Sequence, residues 1–176
     1  LGRMGVDVRV NSAVARIDPE AVVLASGEIV PTATPVWTAG VRGAELAEDL
    51  PFERVRGGRI PIRPTLQTLT HDNVFVIGDL AYLEQDGVML PGVAQVAMQE
   101  GDHAAANIVR LQAGLPLPPF RYRDKGTMAT VGRSAAVANI GGRLYTGFFA
   151  WLIWLAVHIF FLIGFRNRAA VLLSWA

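Results

Sequence analysis

Residues 73–79, NVFVIGD, hold the pattern that decides the fold class. An apolar run rich in β-branched residues stops abruptly at Gly-Asp, as a buried strand does at the carboxyl edge of a sheet. Pro91 then favours the first turn of a helix over roughly 92–112, and Gly114 favours its end. A strand followed by a long helix predicts an α/β domain. The predicted buried face of the helix consists of small and apolar residues: Ala94, Ala97, Gly101, Ala104, Ala105, Ile108 and Leu111.

Shorter elements are predicted on both sides of this strand and helix. Apolar runs separated by Pro, Gly and Asp indicate short strands, and those between residues 12 and 30 read as a small antiparallel excursion. The LPLPP run at 115–119 predicts a stiff connector after the long helix. We expect a short helix at 45–50 and strands at 6–10, 12–17, 21–24, 29–30, 35–38, 73–77, 120–122, 128–131 and 135–140.

The C-terminal run LYTGFFAWLIWLAVHIFFLIGF, residues 144–165, carries no formally charged side chain. It is long enough to cross a bilayer as a helix, which takes about 20 apolar residues. Arg143 flanks it on one side and Arg166 and Arg168 on the other, so the charges give it no orientation. We therefore expect a catalytic or binding domain with a C-terminal membrane anchor and a lipid-soluble substrate.

Other residues of the tail fit the same interpretation. The stretch 169–175 reads as a second short segment, and Trp151, Trp154 and Trp175 suit the headgroup region. His158 lies in the middle of the apolar run, and a titratable group at membrane depth is a functional candidate. The favoured alternative is a neutral histidine hydrogen-bonded to a backbone carbonyl or to a neighbouring helix.

Composition excludes several classes of function. The chain has 176 residues, of which 52% are hydrophobic and 18% charged, so it is not a disordered protein. Its formal net charge is +1 without a long basic block, and no nucleic-acid partner is expected. The sequence has no cysteine and no His, Asp and Glu cluster at metal-ligand spacing, so no disulfide framework, redox dithiol or metal site is expected. It begins without Met and as if within a domain, so we expect a C-terminal fragment of a longer protein.

Polar residues near the ends of the predicted strand and helix are candidate ligand-binding groups. Gly78 lets a ligand approach the main chain and Asp79 can accept hydrogen bonds from ligand hydroxyls, although Gly-Asp is also an ordinary turn. Gln95 and Gln99 share one face near the helix N-terminus, where two neutral amides orient a carbonyl ligand unless they are simply solvated. Lys125 is either a charge at the site or a solvated turn lysine.

Each motif is weak alone, but their order and spacing are specific. WTAGV, PTLQTLTHDNVFVIGDLA, LPGVAQVAMQEG and FRYRDKGTMATVGRSAAV, followed by a Trp-rich apolar tail, resemble the C-terminal part of type II NADH:quinone oxidoreductases. These are the alternative NADH dehydrogenases of the pyridine nucleotide-disulfide oxidoreductase-like superfamily. The resemblance implies an α/β, Rossmann-like fold of two dinucleotide-binding domains, one for FAD and one for NADH. It also implies a helical membrane anchor that lies in the interface rather than crossing the bilayer.

The resemblance further implies a division of the chain and roles for its residues. Residues 1–38 would end the NADH-binding domain, 39–140 would be the returning part of the FAD-binding domain with the quinone-site helix, and 141–176 would be the membrane-anchoring helices. The residues expected to contact FAD are Gly78, Asp79, Ala94 and Gln95, with Asp79 on the ribityl chain. The residues expected at the quinone are Ala94, Gln95, Met98 and Gln99. The expected catalytic residues are Gln95, Gln99 and Lys125.

The implied activity is electron transfer from NADH through FAD to a membrane quinone of the respiratory chain, without proton pumping. The implied partners are NADH, a membrane quinone, the lipid bilayer and a second copy of the protein, on the cytoplasmic face of the inner membrane. The phosphate-binding GxGxxG fingerprints are absent from this sequence, so the 176 residues alone are expected to be inactive. The alternatives are a non-catalytic membrane-tethered module and another two-dinucleotide-domain flavoprotein reductase.

Overall fold

The computed structural model describes residues 1–38 and 40–175 of the chain. Ala39, in the WTAGV motif, and Ala176 lie outside the described residues, and so does the side chain of Trp175. The predicted headgroup position of Trp175 therefore stays a prediction.

The chain forms two compact units, one of residues 1–38 with 126–176 and one of residues 39–125. Both units combine helices with short strands, and the predicted mixed α/β architecture is confirmed. All the candidate site residues lie in the unit of residues 39–125.

The first unit begins with a three-stranded antiparallel sheet. Its strands are β1 (Val14–Asp18), β2 (Ala21–Leu24) and β3 (Ile29–Pro31), each paired with the next. The predicted antiparallel excursion is therefore confirmed. The strands predicted at 6–10 and 35–38 are wrong, because a β-branched run forms a strand only beside a partner. No strand among the described residues pairs with either run.

Short strands and one long helix build the unit of residues 39–125. β4 (Ile60–Pro61) pairs in parallel with β5 (Ala81–Tyr82), and β6 (Glu84–Gln85) forms a hairpin with β7 (Val88–Met89). The helix predicted at 45–50 is a short 3₁₀ helix. The buried core of the unit comprises Ile60, Ile62, Leu66, Val76, Ala81, Leu83, Leu90, Val96, Ala104 and Phe120.

The run at 73–77 is extended but does not form the predicted strand, since its pairing is an isolated bridge. Val76 N donates to Leu66 O at 3.1 Å, and Phe75 forms an isolated antiparallel bridge with Gln67. Val76 is buried whereas Ile77 is 40% exposed, so the run is only partly covered. It ends in a 3₁₀ turn, Gly78–Leu80. The run is not a regular strand because a strand needs a neighbouring strand along its length, and this run has only an isolated bridge.

The long helix α1 (Ala94–Gln112) confirms the predicted helix, and Gly114 follows it with a φ of 68°. Its buried face agrees with the predicted one at Ala104 but not at Ile108 and Leu111, which are 41% and 37% exposed. The buried residues of α1 are Val96, Glu100, Ala104 and Asn107. Two of these are polar, so a search for apolar residues at helical spacing placed the face incorrectly.

A second antiparallel sheet belongs to the first unit. Its strands β8 (Thr127–Thr130), β9 (Ala136–Ile140) and β10 (Arg143–Thr146) have the order β10-β9-β8. Gly141 and Gly142 join β9 to β10 with φ values of 58° and 77°, and a two-residue type I′ turn requires positive φ at both positions. The two strands predicted here are confirmed. The apolar run, however, starts as the last strand of this sheet rather than as a helix.

The rest of the apolar tail is divided between two helices, α2 (Gly147–Phe161) and α3 (Phe165–Trp175). α2 has 15 residues and is therefore about 22 Å long. Arg168 closes its C-terminal end, because the guanidinium donates from Nε to Leu162 O at 2.7 Å and from Nη2 to Phe160 O at 2.9 Å. In the part of the chain that the structure describes, no helix combines the length and the hydropathy that crossing a bilayer requires.

The two faces of α2 differ in burial. Ala150, Trp151 and Leu155 pack against Ala136 and Ala138 of β9 and form a buried apolar cluster. Trp151 is only 8% exposed, so its predicted headgroup position is wrong. The apolar residues of α2 that are exposed by 41% or more are Phe148, Phe149, Leu152, Phe160 and Phe161.

His158 of α2 lies beside Trp154, one turn earlier. Its Nδ1 is 2.7 Å from Trp154 O, and the two rings stack with centroids 4.2 Å apart. A carbonyl oxygen accepts, so Nδ1 carries the proton of this hydrogen bond. The favoured interpretation, a histidine bonded to a backbone carbonyl, is confirmed.

Candidate ligand-binding site

The Gly78–Leu80 turn presents an acidic side chain at the end of the extended run. Gly78 has a φ of 69°, a left-handed conformation that glycine adopts without strain. Its N–H donates to Glu100 Oε2 at 2.6 Å. Asp79 follows directly and is exposed. The buried Glu100 thus holds the first residue of the turn, while the second residue, Asp79, is exposed to solvent.

Gly92 brings this turn close to the start of α1. A Cβ at Gly92 would lie 2.8 Å from Arg59 Nη2 and 3.0 Å from Asp79 Oδ1. Both side chains therefore approach the main chain at a position that only glycine leaves open. Arg59 is buried, with 7% exposure, so a permanent positive charge stands beside the exposed carboxylate.

The N-terminus of α1 has no side-chain cap. Its N-cap residue is Val93, which makes no capping hydrogen bond, and the first turn contains no acidic residue. The first N–H groups of a helix lack intrahelical acceptors and carry the positive end of the helix dipole. This end of α1 is therefore suited to a polarised carbonyl or an anion.

Gln99 is bonded in both directions to the main chain of Arg123. Gln99 Nε2 donates to Arg123 O at 3.0 Å, and Arg123 N donates to Gln99 Oε1 at 3.0 Å. The amide thus acts as a short piece of strand beside residue 123. The sequence predicted a ligand contact for this amide, and the structure adds a structural one that the sequence did not indicate.

The same segment is held at other points along α1. We call residues 115–125 the strap. His103 Nε2 lies 2.9 Å from Pro118 O, Asn107 Nδ2 donates to Pro118 O at 3.2 Å, and Arg110 Nε donates to Pro116 O at 2.7 Å. These side chains follow Gln99 at helical spacing, so one face of α1 carries the strap.

A residue outside α1 holds the strap in the same way. Tyr122 N donates to Gln85 Oε1 at 2.8 Å, and Gln85 Nε2 donates to Tyr122 O at 3.3 Å. The strand predicted at 120–122 is wrong as a regular strand, because glutamine side chains replace the backbone partner of a sheet. Lys125, at the end of the strap, is exposed.

A shallow groove of about 350 Å³ runs between α1 and the strap. Gln99, His103, Phe120 and Arg123 are among its lining residues. Within the described residues its lining does not include Ala94, Gln95 or Met98. Met98 is 53% exposed and Gln95 is half-buried. The structure thus brings Gly78 and Asp79 together with Gly92, and it joins Gln99 to the strap.

Glu100 is the residue of this region that sequence reasoning missed. It is 1% exposed, and burial raises the pKa of its carboxyl, while the Gly78 N–H and Arg59 lower that pKa and Asp79 raises it. A signal for it existed, because Val96, Glu100, Ala104 and Asn107 recur at helical spacing. The pattern was missed because the search was for apolar residues, and Glu100 and Asn107 are polar.

The pH dependence of stability tests the environment of Glu100. Because its pKa is raised on folding, its contribution to the free energy of unfolding is full below the unfolded value of 4.5 and is lost as pH rises through the folded pKa. Glu100→Gln lacks this contribution. We expect the stability of the variant relative to wild type to increase with pH across this window. Urea unfolding from about pH 4 to pH 7 measures it, and a difference that stays constant with pH would contradict the prediction.

The chain is similar to known proteins over nearly its whole length. Residues 1–101 match the family described as Pyridine nucleotide-disulphide oxidoreductase, and residues 125–176 match the NDH2 C-terminal domain. The chain is 41% identical over 186 residues to the Type II NADH:quinone oxidoreductase Ndh of Mycobacterium tuberculosis, covering 99% of this chain and 39% of that protein. It is 32% identical over 194 residues to the Internal alternative NAD(P)H-ubiquinone oxidoreductase A1 of Arabidopsis thaliana mitochondria, covering 99% and 38%.

A solved structure shows the same fold. The structure of NDH2 from Plasmodium falciparum in complex with NADH aligns with a TM-score of 0.73 over 94% of this chain and 50% of that one. At 14% identity this is a likeness of fold. The chain spans 39% of the length of the M. tuberculosis relative.

Proposed function

Because this chain belongs to the pyridine nucleotide-disulphide oxidoreductase family, among the type II NADH:quinone oxidoreductases, we propose that the whole protein transfers electrons from NADH through FAD to a membrane quinone. The observation that carries the proposal is the placement of the exposed Asp79 beside Gly92, just before the uncapped N-terminus of α1. This arrangement offers a hydroxyl-binding carboxylate and a carbonyl-binding helix end within one short stretch. The proposed transfer pumps no protons.

FAD fits the residues that the structure places here. Gly92 leaves the main chain free of a side chain exactly where Arg59 and Asp79 approach it. Asp79 would accept hydrogen bonds from the ribityl hydroxyls, and Gly78, Ala94 and Gln95 would contact the cofactor through their main chain. The positive end of α1 would stabilise negative charge at the pyrimidine end of the flavin. When bound, FAD supplies the redox chemistry between NADH and quinone.

The proposed quinone site follows on the same helix. Ala94, Gln95, Met98 and Gln99 would line it, and the exposure of Met98 supports an apolar contact there. The amides of Gln95 and Gln99 would orient the quinone carbonyls without adding charge. Lys125 would supply a positive charge at the mouth of the pocket, where reduction builds negative charge on the quinone oxygens.

We propose that α2 and α3 bind the membrane without crossing it. The exposed apolar face of α2 supports this, and its length of about 22 Å is less than the bilayer core of about 30 Å. An interfacial helix buries one apolar face at the headgroup boundary. The proposed location is the cytoplasmic face of the inner membrane, and the proposed assembly is a homodimer.

The domain assignment also stays a proposal. Residues 1–38 would end the NADH-binding domain, 39–140 would complete the FAD-binding domain, and 141–176 would form the anchor. Since β10 occupies Arg143–Thr146, the helical part of that anchor would begin at Gly147.

Measurements on the whole protein test the proposed function directly. Its flavin content is measured after purification, and NADH oxidation is followed with a water-soluble quinone and with ferricyanide as separate acceptors. We expect one FAD per chain and reduction of both acceptors. A protein that contains flavin but reduces only ferricyanide would refute the quinone assignment. A protein without flavin or NADH oxidation would support the non-catalytic, membrane-tethered module instead.

The isolated chain is expected to behave differently from the whole protein. Its 176 residues contain no GxGxxG phosphate cradle, and the dinucleotide phosphates of FAD need one. We expect the isolated chain to bind FAD weakly and to show no NADH oxidation, as measured by flavin absorbance after gel filtration. A yellow preparation with stoichiometric flavin would contradict this prediction.

A further inference from the structure

Glu100 is a buried acid that the proposed function does not yet use. It is 1% exposed and lies on the same face of α1 as Val96 and Ala104, which belong to the apolar core. Placing a carboxylate in such surroundings costs free energy unless hydrogen bonds compensate. The compensating contact is the N–H of Gly78, which donates to Glu100 Oε2 at 2.6 Å. The side chain of Glu100 therefore accepts a hydrogen bond from the main-chain N–H of Gly78.

The Gly78 N–H belongs to the peptide that leads into Asp79, so its orientation sets the path of the main chain there. Gly78 begins the 3₁₀ turn with a φ of 69°, and Asp79 is the second residue of the turn. A Cβ at Gly78 would meet only an ordinary contact, Ala97 Cβ at 3.5 Å. The hydrogen bond from the Gly78 N–H to Glu100 Oε2 is a directional contact that holds this peptide. The carboxylate of Glu100 fixes its orientation and with it the path of the main chain into Asp79.

We propose that Glu100 is a positioning residue for the flavin site: by holding the N–H of Gly78, it keeps the carboxylate of Asp79 in place for the ribityl chain of FAD. The inference rests on the proposed function, because it assumes that Asp79 binds the cofactor. Arg59 also approaches Gly92, because its Nη2 would lie 2.8 Å from a Cβ at that position. Glu100 itself touches no ligand.

The test compares FAD affinities of the whole protein, measured by quenching of flavin fluorescence on titration into the apoprotein. Glu100→Leu removes the acceptor of Gly78, and we expect FAD affinity to fall by about ten- to a hundredfold. Glu100→Gln keeps an acceptor oxygen at the same place and is expected to stay within about threefold of wild type. Glu100→Asp retains the charge but withdraws the carboxylate by one methylene. It should weaken binding by about tenfold even if the leucine variant does not fold.

A double-mutant cycle separates positioning from general stability. If Glu100 acts through Asp79, Glu100→Asp in an Asp79→Ala background should lower FAD affinity by less than about twofold further. Gln85→Leu is the matched control, since it removes two side-chain bonds to main chain elsewhere in the same unit. It should leave FAD affinity unchanged.

Three results would overturn the inference. They are wild-type affinity in Glu100→Asp, additive losses in the cycle, and an equal loss in Gln85→Leu. A wild-type protein that binds no FAD would instead refute the proposed function, and the inference with it. The failure of the inference alone is therefore recognisable, because wild type then binds FAD and only the variants depart from expectation.

Discussion

Replacing Gln95 and Gln99 together with leucine is expected to lower quinone reduction on the order of a hundredfold, the loss that follows when a reacting group is no longer oriented. Reduction of ferricyanide by NADH should remain near the wild-type rate, because that acceptor does not need the amides. Steady-state rates of the whole protein with the two acceptors measure the difference. Equal losses with both acceptors would show damage to the flavin site instead, and no loss would move the quinone site elsewhere.

The bonds of Gln99 to Arg123 make a control necessary. Gln99→Leu removes both bonds to the strap, so a displaced strap and a lost quinone contact both predict a loss of activity for this variant. Gln85→Leu releases the strap at Tyr122, the adjacent residue, without touching α1. We expect this control to keep quinone reduction within about threefold of wild type. A control as impaired as Gln99→Leu would assign the role of Gln99 to the strap.

Gly126→Ala, just before β8, is expected to destabilise the second sheet strongly. Gly126 has a φ of 100°, and a Cβ there would collide with Asn139 O and lie 3.1 Å from Ile140 Cα. Both are main-chain atoms of β9, which cannot move without breaking its pairing with β8. We expect a loss of more than about 3 kcal/mol in the free energy of unfolding, measured by urea denaturation.

Gly27→Ala provides the comparison for that substitution. Gly27 also has a positive φ, 88°, but a Cβ there meets no atom within 4 Å. The cost of the conformation alone is about 1 to 2 kcal/mol. If both variants lose the same stability, the collision with β9 is not the cause of the effect.

The sequence predicted α1 well because its signals are local. Gly114 follows the end of the helix with a positive φ, which glycine adopts without strain. Pro91, predicted in the first turn, lies before the N-cap residue Val93, so the helix starts three residues later than Pro91. The buried face of the helix was missed because it depends on what lies opposite. Glu100 and Asn107 are buried only because Gly78 and the strap supply partners, and that information is not in the helix itself.

The strands show the same limit more strongly. The runs at 6–10 and 35–38 have the composition of strands, yet a strand exists only where a neighbour completes its ladder. The antiparallel sheet between residues 12 and 30 was predicted because each strand and its partner are adjacent in sequence. The parallel pairing of Ile60 with Ala81 was not predicted, because it joins residues from distant parts of the chain.

The candidate site was predicted in part. Gly78 and Asp79 were identified because a strand end has a sequence signature, and the uncapped start of α1 follows from Val93. The bonds between Gln99 and Arg123 were not predictable, since they depend on the path of the strap. Hydropathy likewise measured the composition of 144–165 but not its division into a strand and two helices.

Helix α2 both covers the second sheet and carries an exposed apolar face, and this has a practical consequence. Ala150, Trp151 and Leu155 cover the sheet at Ala136 and Ala138, so the helix with the exposed apolar face is also part of the domain core. Trimming the chain before Gly147 would strip the sheet of its cover and yield aggregates rather than a detergent-free enzyme. A water-soluble form has to retain the whole helix and replace only its outward aromatic side chains, Phe148, Phe149, Phe160 and Phe161, with polar ones.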